Sequence, residues 1–149
     1  LCLSTVSVEG CLETSVTPFV LYENRFYVFL SELARHTQNI LHAIESNSAQ
    51  KSAISGLLIA DEAETDQLFA RERMSFQFQV AEVERDTERY TAVLTTFEQQ
   101  FGEVVSVLQG LPDFHLFELT SLEGGYVRGF GQAFAFKGMR ADGFHPVRS

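Results

Sequence analysis

Arg73-Met74-Ser75-Phe76-Gln77-Phe78-Gln79-Val80 alternates apolar and polar side chains without a break. Met74, Phe76, Phe78 and Val80 fall on one face and Ser75, Gln77 and Gln79 on the other, the period-two pattern of a strand with one buried side. A sheet therefore runs through the middle of the chain, and the flanking sequence must supply its neighbours.

Upstream, Leu1–Ser7 and Thr14–Leu21 are β-branched and apolar and are separated by Glu9-Gly10, which predicts a hairpin. Tyr22-Glu23-Asn24-Arg25 reads as a second turn before Phe26–Leu30, completing a three-stranded meander. Ser31 is placed to cap a helix with Leu33, Thr37, Ile40, Leu41 and Ile44 at helical spacing. The small, polar stretch from Ser46 to Ser52 reads as an exposed loop, and Gly56–Ala60 as a short strand running into the acidic turn Asp61-Glu62-Ala63-Glu64. Downstream, Asp86 or Thr87 opens a helix with Tyr90, Val93, Leu94, Phe97, Phe101, Val104, Val105 and Leu108 on one stripe. Gly102 is positioned to kink it, and Gly110 with Pro112 to end it. Phe114–Thr120 is expected as a strand, Glu123-Gly124-Gly125 as a turn, and Tyr126–Phe136 as a long last strand. The small face of that strand (Val127, Gly129, Gly131, Ala133, Ala135) implies that a strand, a subunit or a flat ligand comes close. The expected fold is α+β: a mostly antiparallel barrel of six to seven strands with two inserted helices.

The 149 residues fit a single domain, 1–149, with a tail from about residue 138. With 45% apolar and 21% charged residues the disordered and fibrous classes are excluded. Twenty acids against eleven bases, a net charge of −9, leave little to neutralise a phosphate backbone, so no nucleic-acid partner is expected. No apolar run approaches the roughly 18 residues of a membrane span, and no leader opens the sequence, so membrane insertion is not expected. Cys2 and Cys11 flank the first turn. They could meet across the hairpin, but a reduced pair in the cytoplasm is the simpler reading. The chain begins at Leu1, directly in strand-like sequence, which suggests that an N-terminal piece precedes it in the natural protein.

Nine of the eleven bases are arginine, whose planar fork suits carboxylates and phosphates, although surface ion pairs explain the count equally well. Ser31, Arg35, His36 and Thr37 sit where a strand passes into a helix, a place that suits an anion; the alternative is an ordinary solvent-facing helix start. Arg71 and Arg73 share a face and could reach one ligand, or could pair with Glu72 and the Asp61–Asp66 segment. Asp113 follows a Gly-Leu-Pro turn, where aspartate usually bonds locally. His115 reads as a satisfied core histidine and His42 as an exposed one. His145, in Gly143-Phe144-His145-Pro146, is the histidine on a segment free to fold over a partner, where it could ligate haem iron; an ordinary disordered chain end is the default reading. No nucleophile triad, zinc site or phosphate-binding glycine loop is present, so any chemistry would come largely from a bound cofactor.

Several segments, taken in order, resemble the HugZ/HutZ-type haem-utilisation proteins, a branch of the pyridoxamine 5′-phosphate oxidase-like, FMN-binding split barrels. They are Leu3–Ser7, Pro18-Phe19-Val20, Leu30–Asn39, Asp61–Glu64, Phe69–Phe76, Phe101-Gly102-Glu103, Gly110-Leu111-Pro112-Asp113-Phe114 and Gly129-Phe130-Gly131. The resemblance runs from Leu1 to about Phe136; the stretch from Asn39 to Leu57 is longer than the family's, and the tail around His145 departs from its tail motif. It implies a homodimer with two equivalent cofactor sites between subunits. In the flavin-binding relatives the strand-to-helix segment holds the FMN phosphate, which maps to Ser31, Arg35, His36 and Thr37, with Arg71 or Arg73 contributing. In the haem-degrading branch the same cleft holds haem. His145 would then ligate iron, Asp113 would support it, and Arg71 or Arg73 would stand on the distal side. Three functions follow: a haem-degrading oxygenase, an FMN-dependent oxidoreductase, or a haem carrier without catalysis.

Overall fold

The computed structural model of the chain describes residues 1–47, 54–139 and 145–147. Most of the expected Ser46–Ser52 loop, and much of the tail, lie outside these. In chain order the elements are β1 (Cys2–Val6), β2 (Leu12–Val16), β3 (Val20–Tyr22), β4 (Arg25–Ser31), α1 (Arg35–Glu45), β5 (Ile54–Ile59), β6 (Arg73–Val83), α2 (Glu88–Phe101), α3 (Val104–Gln109), β7 (Phe114–Gly129), β8 (Gln132–Lys137) and β9 (His145–Pro146). Short 3-10 turns at Glu62–Glu64 and Leu68–Ala70 join β5 to β6.

The fold is α+β, and every strand pair among the described residues is antiparallel. The sheet runs β2-β1-β5-β6-β7-β4-β3, with β8 beside β7 and β9 beside β8. β6 lines one edge of β7 along most of its length. The other edge of β7 is divided: Phe114–Leu119 pairs with β4 and Glu123–Gly129 pairs with β8. A shift of register between Gln77 and Phe78 marks the point where the two halves part. β2 and β3 do not meet, so the barrel is split and open.

Two apolar cores follow from this. Leu3, Phe26, Val28, Leu30, Ile40, Phe76, Phe78, Phe117, Leu119 and Phe136 form the first, and Phe26 packs edge-on against Phe76 and Phe78. Tyr27, Tyr90, Val93, Leu94, Phe97, Val105 and Leu116 form the second, between α2, α3 and the sheet. β4 feeds both because its successive side chains point to opposite faces.

The described residues form nine strands where seven at most were expected, and three α-helices where two were expected. Pro18 cannot donate to a ladder, so the predicted Thr14–Leu21 strand stops at Val16, and Val20 restarts on the far edge of the sheet beside β4. β2 and β3 are therefore not neighbours and the meander does not form. Gly102, at φ +86°, ends α2 instead of kinking it, and α3 begins two residues later. Gly124-Gly125 is no turn; both lie inside β7, and the reversal comes at Phe130-Gly131. A Cβ on Gly124 would lie 2.0 Å from the Ser75 carbonyl oxygen and 2.4 Å from the Phe136 ring, so glycine is needed there for close packing. Cys2 stands opposite Val16, whereas Cys11 lies beyond the other end of the β1–β2 pairing, so the two cannot be bridged.

Candidate functional site

β4 ends at Ser31, opposite Phe114, the first residue of β7. The Ser31 hydroxyl donates to Asp113 Oδ2 at 2.6 Å and accepts from the Leu33 N–H, while the Glu32 N–H donates to the Asp113 carbonyl at 2.8 Å. Ser31 therefore does not cap α1, which starts at Arg35 after Ala34 without a side-chain cap. Its hydroxyl is drawn instead to a carboxylate 82 residues away.

Of the other three residues of the expected anion site, Arg35 and His36 turn towards β2. Arg35 is exposed and pairs with Glu13 at 2.9 Å, and His36 Nδ1 lies 2.5 Å from the Ser15 hydroxyl. Burial holds the His36 imidazole below its usual pKa and so favours its neutral form. Thr37 is fully buried, with its hydroxyl unpartnered among the described residues. Ser31 thus faces one element and Arg35 and His36 another, and Arg35 is neutralised by the protein's own Glu13. These residues do not converge on a phosphate.

His115 is satisfied as expected, but at the sheet surface and not in the core. Glu82 Oε1 lies 2.5 Å from its Nδ1 and Glu32 Oε1 2.6 Å from its Nε2, and its ring stacks on Phe117. Partial burial works against the charged form, yet the hydrogen bonds to Glu82 and Glu32 outweigh it and raise the pKa above the usual histidine value. A carboxylate at each nitrogen thus favours the charged form of the ring.

At the other end of the sheet, Arg71 and Arg73 do not extend into one groove. Arg71 lies outside β6; its Nε donates to the Ala60 carbonyl at 2.7 Å and its guanidinium pairs with Glu62 at 3.5 Å, the acidic-loop pairing that competed with the ligand reading. Arg73 opens β6 and donates to the Arg71 carbonyl at 2.8 Å. His145 is not on a free tail: it pairs with Ala135 of β8, and the Val147 N–H donates to the Ala133 carbonyl.

Leu57, Ser75, Gly125, Ala135 and His145 stand directly opposite one another across five strands. Directly paired residues share a face, and the alternate row of Gly56, Phe76, Gly124 and Phe136 carries the core. The His145 row is consequently the outer face, where Ser75, Ala135 and His145 are exposed. A cleft of about 440 Å³ lies here, walled by Gln77, Glu123, Lys137 and His145. Arg73, Val127 and Ala133 form the next row of the same face. The arrangement is a broad floor of small side chains with one imidazole standing on it. Arg85, Glu82 and Glu32 were missed in the sequence because each acts on residues distant in the chain. The small face of β7–β8 was the one legible signal.

An open antiparallel sheet divided about two long central strands, with a helix inserted after β4, is a split-barrel fold of the kind seen in pyridoxamine 5′-phosphate oxidase-like structures. No protein-family model matches the chain. It is 38% identical over 136 residues to the heme oxygenase HutZ of Vibrio cholerae, an alignment covering 91% of this chain and 73% of that protein. The solved structure of HutZ from Vibrio cholerae, described as a heme storage protein, superposes with a TM-score of 0.70 at 35% identity over 80% of this chain and 79% of that one. Campylobacter jejuni ChuZ superposes with a TM-score of 0.83 at 27% identity, over 98% of this chain and 56% of that one. The chain belongs to the HugZ/HutZ-type haem-utilisation family.

Proposed function

We propose that this chain binds haem between two copies of itself and takes part in its oxidative breakdown. The observation that carries the reading is the row His145–Ala135–Gly125–Ser75: an exposed imidazole beside a floor of side chains small enough for a flat macrocycle to lie against. Haem, when bound, supplies the iron at which oxygen and a reductant react. The chain's own residues would hold and orient it. His145 is the candidate iron ligand, Asp113 its hydrogen-bonding support, and Arg73 the better of the two arginines to meet the bound haem, because Arg71 is engaged by Ala60 and Glu62.

A homodimer is part of this reading. Phe114 to Gly125 is eleven positions along β7, ~36 Å of extended strand. Asp113, just before that stretch, and His145, in the row of Gly125, belong to one site only if a second copy brings them together. The alternative of an FMN-dependent oxidoreductase is weaker, because Ser31, Arg35 and His36 are engaged by Asp113, Glu13 and Ser15. The carrier reading, haem held without catalysis, draws support from the description of the HutZ structure as a storage protein. A cytoplasmic location goes with the family reading, and no helix among the described residues is long and apolar enough to cross a membrane.

The test is a visible titration of the purified protein with haemin and, separately, with FMN. Saturable uptake of one haem per chain, weakened by His145→Ala, with no FMN uptake, is expected. FMN uptake indifferent to His145 would replace this reading. Consumption of the bound haem on adding a reductant separates breakdown from storage.

A further inference from the structure

We propose that Arg85 and Ser31 are positioning residues for Asp113, together fixing the direction in which its carboxylate faces. The inference rests on the role given to Asp113 above. Asp113 ends the Gly110-Leu111-Pro112 connection between α3 and β7, a segment with few partners of its own: Pro112 has no N–H, and the carbonyls at the end of α3 have no further helix to bond. Arg85, from the loop between β6 and α2, supplies the missing donors. Its guanidinium donates to the carbonyls of Gln109 at 3.1 Å, Leu111 at 2.7 Å and Phe114 at 2.9 Å, spanning the segment on both sides of Asp113. The same group lies 6.0 Å above the ring of Tyr90, which is buried in the second core. A planar fork can serve three carbonyls at once; an ammonium cannot do so with the same geometry.

From the opposite side, Ser31 holds Oδ2 and the Glu32 N–H holds the main-chain carbonyl. With the segment and one carboxylate oxygen both fixed, Oδ1 has one direction in which to accept a bond. It has no protein partner among the described residues.

Two readouts on the full chain test this. In the haem-free protein, hydrogen exchange by mass spectrometry should show Arg85→Ala, and to a lesser degree Arg85→Lys, speeding exchange in residues 110–116 while α2 and β6 stay protected. In haemin titrations, Ser31→Ala and Arg85→Ala should each weaken binding by about 10- to 100-fold, as losses of groups that orient a ligand's support do. Combining either with Asp113→Ala should weaken binding no further than Asp113→Ala alone, because the effects pass through one residue. Arg85→Lys should recover part of the affinity.

Additive losses, or normal haem affinity in both Ser31→Ala and Arg85→Ala while Asp113→Ala binds weakly, would overturn the positioning role and leave the haem reading standing. Normal haem affinity in Asp113→Ala would instead remove the reading on which it rests. Unchanged exchange across 110–116 in Arg85→Ala would overturn the hold on the segment directly. If Arg85→Ala does not fold, Ser31→Ala and Arg85→Lys carry the same comparisons.

Discussion

Asp113 and His145 stand at opposite ends of the long strand β7: Asp113 immediately precedes its first residue, and His145 lies in the cross-strand row of Gly125. A site using both is incomplete in one copy of the chain. Sedimentation equilibrium should therefore give twice the chain mass at micromolar concentration, and a monomer there would contradict a shared site.

His115 makes stability depend on pH in a stated direction. Burial opposes its charge, but Glu82 and Glu32 more than compensate, so its folded pKa lies above the unfolded value of about 6.5. A raised histidine pKa contributes stability that is complete below the unfolded pKa and is lost as pH rises through the folded one. Urea midpoints should fall as pH increases from about 6.5 into the mildly alkaline range, and His115→Gln should remove that slope. An identical slope in the variant would assign it to other groups.

His36 acts in the opposite sense. Burial lowers its folded pKa, so its contribution is present above about 6.5 and is lost as pH falls towards the folded value. His36→Gln should flatten the acid limb of the same urea series and leave the alkaline limb intact. A change confined to the alkaline limb would contradict this.

Gly124→Ala tests the close approach inside β7. The added Cβ meets the main chain at Ser75 as well as the Phe136 ring, so neither neighbour gives way cheaply. A loss of about 3 kcal/mol is expected from urea unfolding, at the upper end of overpacking costs. Combining it with Phe136→Ala should not restore stability, since the clash with the Ser75 carbonyl remains. A change within about 0.5 kcal/mol would show that the strands separate freely there.

Arg35→Ala should change little. Its side chain is 83% exposed and its ion pair with Glu13 is a surface pair, of the kind worth less than about 1 kcal/mol. Haem uptake should match that of the unaltered chain. A large loss of ligand binding would return Arg35 to the cofactor site.

The elements legible in the sequence were those whose pattern is local. β6 follows from the Met74–Val80 alternation, and α2 from its stripe with Thr87 at the N-terminus, whose hydroxyl accepts from the Tyr90 N–H. The mostly antiparallel α+β class followed from these together with the apolar run of β4; that the barrel is split came only with the family resemblance. What failed depends on contacts between distant residues. Gly124-Gly125 has turn chemistry, but Phe136 needs that space. Ser31 has cap chemistry, but Asp113 competes for its hydroxyl. The two arginines at 71 and 73 share a spacing but not a strand. Arg85 carried no signal because the carbonyls it serves have no sequence signature.

The most direct test of a haem site shared between two copies is complementation. Mixing His145→Ala with Asp113→Ala chains, each impaired alone, should form hybrid dimers holding one intact site and one doubly altered site. After unfolding and co-refolding at equal ratio, tight haem binding should reappear at about one quarter of the sites: half the dimers are hybrid, and half of their sites are intact. Haem binding no stronger than in either parent would contradict a site built from the two subunits.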